Sequence, residues 1–140
     1  MGHYEMPASL SIPYGNIDVE HQAIIEILNP ALRLIQMTQD AEVHLLFPYL
    51  EELRSALKLH FAHEEQEMAQ LDYPDLAPHK RHHAHCVQRL DEICDAVAIG
   101  QKKADKDLLD ELYDMIMDDI IRADSGFKSF LQAQDICACS

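Results

Sequence analysis

Leu46, Leu50, Leu53, Leu57, His60, Glu64 and Met68 recur at steps of three and four residues. At 3.6 residues per turn, such a series falls on one face of an α-helix. A histidine and a glutamate therefore continue a leucine stripe without changing its direction, and whatever buries the leucines must bury them as well. Three further stripes follow the same rule. His21, Ile25, Leu28, Leu32 and Ile35 form one, with Asp18 placed where an N-cap would stand. His79, His83, Cys86, Leu90, Ile93 and Val97 form another, and Leu109, Leu112, Ile116, Asp119, Ala123, Phe127 and Phe130 the last. The breakers between them predict helices over about 18–38, 41–70, 76–100 and 105–133, after an arm over 1–16 and before a tail over 134–140. Pro30 falls inside the first and is expected to kink it, because it removes a backbone donor and crowds the preceding turn. Four amphipathic helices with short connections make an all-α chain, most simply an up-down-up-down four-helix bundle forming a single domain over residues 1–140.

The bulk composition narrows the function. A formal charge of −14, from 25 acidic and 11 basic residues, would repel a phosphate backbone or an anionic lipid surface, so neither nucleic acid nor membrane is an expected partner. The opening MGHYEMPASLSIPYG lacks the basic start and apolar run of a secretory leader, and no stretch approaches the roughly 20 apolar residues of a membrane span. A cytoplasmic location is expected. Cys86, Cys94, Cys137 and Cys139 do not space out as a disulfide framework and are read as thiols, with Cys86 a small core residue and the CxC pair part of the tail.

Four of the nine histidines lie in the run PHKRHHAHC, Pro78 to Cys86. Counted at about 100° per residue, His83 stays near His79 on the apolar face, His82 is marginal, and His85 turns toward solvent. His63 falls outside the second-helix stripe. Neither the HxxxH pair nor the HxxxE pair of His60 and Glu64 is specific alone. Together with His21 and Asp119, however, they would put four imidazoles and two carboxylates into one core. Without a cation, the carboxylates would each cost several kcal/mol or remain protonated. Imidazole and carboxylate donors suit iron, manganese or zinc better than copper(I), and carboxylates available for bridging point to a dinuclear site.

The run HFAHEEQEMAQLDYPDLAPHKRHH, His60 to His83, resembles the HFxxEExxM…YP…HxxxH signature of the hemerythrin family. NIDVEHQAIIEILN resembles the first-helix motif of that family, in which a histidine follows an aspartate by three. The resemblance spans about Asn16 to Leu131. It implies two non-haem iron ions, bridged by oxo or hydroxo, inside the bundle. His21 and His60 would bind the iron that takes dioxygen, His79 and His83 the other, and Glu64 and Asp124 would bridge them. The fourth-helix motif in the family is HIxxxD, whereas here the stretch is DIIRAD, so Asp119 stands where the family has a fifth histidine. Periodicity favours Asp119 as a ligand, while Asp124 is assigned on the resemblance.

An added carboxylate changes the charge of such a site. With Glu64, Asp119 and Asp124 ionised, a diferrous centre with one hydroxide is neutral rather than singly positive, which favours the ferric state. Reversible binding of dioxygen, for carriage, storage or sensing, is what the resemblance implies, with another diatomic or peroxide as alternative ligands. A di-iron oxidase or peroxidase reducing oxygen or peroxide is the competing reading, favoured by Asp119. A third reading leaves a mononuclear or empty site serving as a metal buffer. The electron donor is not identified by the sequence.

Overall fold

The computed structural model describes residues 4–12, 14–37 and 43–134, apart from the side chains of Val43, His44 and Asp119. Among these residues every regular element is helical and none is a strand: α1 Ile17–Met37, α2 Val43–Gln70, α3 Leu76–Ala98, α4 Lys106–Met115 and α5 Ser125–Ala133. The last two are parts of one helical segment, joined by a π-helical turn at Ile116–Ile121 and a 3-10 turn at Arg122–Asp124. α1 packs on α2 and α4, and α2 packs on α3.

Local chemistry sets the ends of these helices. Asp105 caps α4, its carboxylate accepting the Leu108 N–H at 3.0 Å. α3 stops at Gly100, whose φ of +81° is the left-handed conformation that lets Gln101 N–H return to the Ala96 carbonyl. Asp72 takes the same role after α2 with φ +54°, and the Tyr73 N–H then closes on the Met68 carbonyl.

α1 runs through Pro30 as one continuous helix. Two details differ from the sequence reading. Asp18 lies inside the first turn and does not cap it; its carboxylate instead accepts from Ser11 Oγ and, at 2.6 Å, from Ile12 N–H, fastening the arm to α1. The arm is also more ordered than an irregular lead-in. It contains a 3-10 turn, Ala8–Leu10, and buries Tyr4 and Ile12. Asn29 accepts the Tyr4 N–H at 2.7 Å and donates to the Tyr4 carbonyl at 3.1 Å, while the Tyr4 hydroxyl donates to Asp110 at 2.6 Å.

The buried residues fall into two apolar clusters. The larger contains Ile24, Leu28, Leu57, Phe61, Cys86, Leu90, Leu112 and Ile121; the smaller contains Ile12, Ile17, Met68, Tyr73, Phe127 and Leu131. In three of the four helical segments a polar residue lies between the two: His21 between Ile17 and Ile24, Glu64 between Leu57 and Met68, Asp124 between Ile121 and Phe127. The bundle thus has a polar layer enclosed by apolar layers near one end.

Candidate metal centre

Each polar side chain of that layer is held by the helix stripe to which it belongs. His21, His60, Glu64, His79, His83 and Asp124 are all buried, the most accessible being His79 at 8%. Their donor atoms converge as two groups, His21/His60/Glu64/Asp124 and Glu64/His79/His83/Asp124, each with ligand atoms within 4.8 Å of one another. Glu64 and Asp124 belong to both.

The carboxylate oxygens divide between the groups. Glu64 Oε1 lies 2.9 Å from His79 Nε2 and 3.0 Å from His83 Nε2, whereas Oε2 lies 3.3 Å from His60 Nε2 and 3.9 Å from His21 Nε2. Asp124 Oδ1 is 3.0 Å from His79 Nε2 and Oδ2 is 3.0 Å from His21 Nε2. His21 and His60 face each other through their Nε2 atoms at 3.0 Å. Despite these short distances, both Asp124 oxygens and Glu64 Oε2 are buried without a hydrogen-bond partner. Nitrogen and oxygen donors are thus crowded together with several oxygens left unsatisfied, and each group could hold a metal ion. The donor set offers each such ion two imidazoles and one oxygen from each carboxylate.

The outward ring nitrogens are held too. His60 Nδ1 lies 2.8 Å from Glu20 Oε1, whose Oε2 is 2.6 Å from His63 Nδ1, and His83 Nδ1 lies 2.7 Å from Glu65 Oε2. A carboxylate on the far nitrogen fixes the tautomer and ring angle of a metal-binding histidine. Phe61 stacks on His83 with centroids 3.9 Å apart at 12°, shielding that ring on the apolar side. Sequence reasoning missed Glu20 and Glu65, although each adjoins a ligand in the chain. A charged residue turned from the apolar stripe reads as solvent-facing unless the neighbouring helix is known.

Without a cation, protons and hydrogen bonds balance the charge. Burial pushes the Asp124 carboxyl up, reinforced by Glu64 beside it. Burial also opposes ionisation of Glu64, but the adjoining Asp124 carboxyl and the His60, His79 and His83 rings outweigh it and hold Glu64 well below the usual carboxylate range. For His60 and His79 burial disfavours the charged ring, yet the neighbouring carboxylates prevail and raise both to about 9. A cation entering the site displaces these protons.

Asp124 is 1% exposed although ideal periodicity placed it off the apolar face. The π turn explains this. Its i→i+5 hydrogen bonds widen the helix and each residue advances less than 100°, which the 3-10 turn at Arg122–Asp124 offsets only in part, so the register at Asp124 shifts. Asp119 falls within that turn, where the ideal count does not hold, and its side chain lies outside the described residues. Asp118 is exposed and paired with Arg122. His85 faces solvent, as expected, and His82 is half-buried with Cys86 Sγ 3.7 Å from its Nε2. Cys86 and Cys94 are buried free thiols, and Cys137 and Cys139 lie outside the described residues. Among the described residues no helix is long and apolar enough to cross a membrane.

Comparison with curated proteins and with solved structures gave no match. Residues 12–131 match the family model described as the hemerythrin HHE cation-binding domain. That span contains all six converging side chains, and with most of the chain matched the protein belongs to the hemerythrin family.

Proposed function

We propose that this protein is an up-down-up-down bundle holding two non-haem iron ions, and that it binds dioxygen reversibly. The observation that carries this reading is the division of Glu64 and Asp124 oxygens between two histidine pairs, with three of those four oxygens buried and unsatisfied. His21 and His60 would hold one ion, His79 and His83 the other, with Glu64 and Asp124 spanning both. When bound, a ferrous pair would supply the two reversible electrons that dioxygen binding requires. The chain itself fixes ring orientation through Glu20 and Glu65, and it excludes bulk water with Leu57, Phe61, Ile121 and Phe127.

A second reading, oxygen or peroxide reduction, rests on one feature: DIIRAD offers no fifth imidazole. If Asp119 also binds iron, the extra negative charge favours the ferric state and opposes the return to ferrous.

The test is iron per chain on anaerobically reduced protein, followed by the visible spectrum as air is admitted and withdrawn. Two irons with a band that appears in air and disappears on deoxygenation are expected. Two irons passing to a lasting ferric spectrum would replace carriage with the oxidase reading. Fewer than one iron after reconstitution would refute both.

A further inference from the structure

A cleft of about 440 Å³ opens between α2 and α3 on the outer side of His83. α2 contributes Lys58, Phe61, Ala62 and Glu65, and α3 contributes Lys80, His83, Ala84 and Val87. Both sets follow the i, i+3, i+4, i+7 pattern of one helix face. Phe61 meets His83 while Glu64 meets His79, so the two helices run in opposite senses here and their lysines stand at opposite ends of the cleft. Seven residues of helix make it about 10 Å long.

The charge of the cleft is unlike that of the rest of the molecule. In a chain of net charge −14, Lys58 and Lys80 are exposed, and among the described residues neither has a carboxylate partner. Glu65, the cleft's acid, is engaged by His83 Nδ1. Between the two ammoniums lies an apolar wall of Phe61, Ala62, Ala84 and Val87. An apolar slot with a cation at each end selects a flat apolar body bearing an anionic group. Its floor is the Phe61–His83 stack, whose far side is the Nε2 aimed at the metal pair.

We propose that this cleft docks a small planar aromatic anion that supplies electrons to the metal pair through His83. This rests on the di-iron reading above. A dihydroflavin phosphate has the required chemistry: it loses two electrons and two protons, the electrons reduce two ferric ions to ferrous, and the protons pass to solvent.

The probe is flavin mononucleotide, its binding followed by flavin fluorescence anisotropy on both metal-free and iron-loaded protein. Saturable binding is expected, weakened about tenfold or more by Lys58→Glu or Lys80→Glu. Lys103→Glu makes the same charge change in the exposed α3–α4 connection and should alter binding less than about threefold. Ala84→Trp fills the slot without changing charge and should abolish binding, with the circular dichroism spectrum confirming that the variant is folded. Non-saturable binding, or an equal loss from Lys103→Glu, would overturn the proposal.

Anaerobic reduction of the ferric protein by dihydroflavin should saturate at the same concentration as binding and slow in step with it in Lys58→Glu. Binding without such saturation would remove the electron-donor role. Protein that carries no iron yet binds flavin would sink the di-iron reading and not the cleft, whereas two irons with no flavin binding would sink the cleft alone.

Discussion

Replacing Glu20 by alanine should weaken one metal position and spare the other. Glu20 touches neither expected metal, but its Oε1 holds His60 Nδ1 at 2.8 Å and its Oε2 holds His63 Nδ1 at 2.6 Å. Burial opposes its ionisation, but the two histidines prevail and lower its pKa, so it serves them as a carboxylate. Losing such a partner typically costs ~10–100-fold in metal affinity, or ~1.4–2.7 kcal/mol. Glu20 is 22% exposed, so water can take its place in part, and the lower end of that range, about tenfold, is expected. The His79/His83 position should move less than about twofold, because Glu65 orients His83 and is untouched. The assay is a metal titration against a competing chelator, which resolves two binding steps. Only one step should shift in Glu20→Ala, only the other in Glu65→Ala, and both in the double variant. His63→Ala, which leaves the His60–Glu20 contact intact, should shift neither. If both single variants moved both steps equally, or neither moved any, the idea that these acids separately orient His60 and His83 would be wrong.

Asn29→Ala removes both hydrogen bonds to the Tyr4 backbone and strands two polar groups, so it should cost ~2–4 kcal/mol in urea unfolding and expose the arm to proteolysis; an unchanged midpoint would show that the arm is not latched there. Asp118→Asn, at an exposed residue paired with Arg122, should leave metal content unchanged, whereas Asp119→Ala should lower it and Asp119→His should slow oxidation in air; equal metal loss from the two aspartates would remove Asp119 from the ligand set. In metal-free protein the folded-state pKa values of His60 and His79, about 9, exceed the 6.5 of the free side chain, so their stabilisation is fully present below about pH 6.5 and disappears as pH rises through 9. Its melting temperature should therefore fall between pH 6.5 and 9.5 while metal affinity rises over the same window, because the cation no longer competes with those protons. A melting temperature that rose with pH in the absence of metal would contradict the burial of these rings beside ionised carboxylates.

The stripes in this sequence determined the helices and placed His21, His60, Glu64, His79 and His83 on their buried faces, because spacing by threes and fours is a property of a single helix and needs no knowledge of its neighbours. The same count failed at Asp124, since it assumes 100° per residue through a segment where the π turn advances more slowly; that the residue points inward was decided by how the widened turn packs. Glu20 and Glu65 reach histidines on other helices, Asn29 holds the backbone of Tyr4 twenty-five residues earlier, and the two oxygens of Glu64 serve different histidine pairs. None of these could be read along the chain, because each depends on the angle and depth at which one helix packs on another.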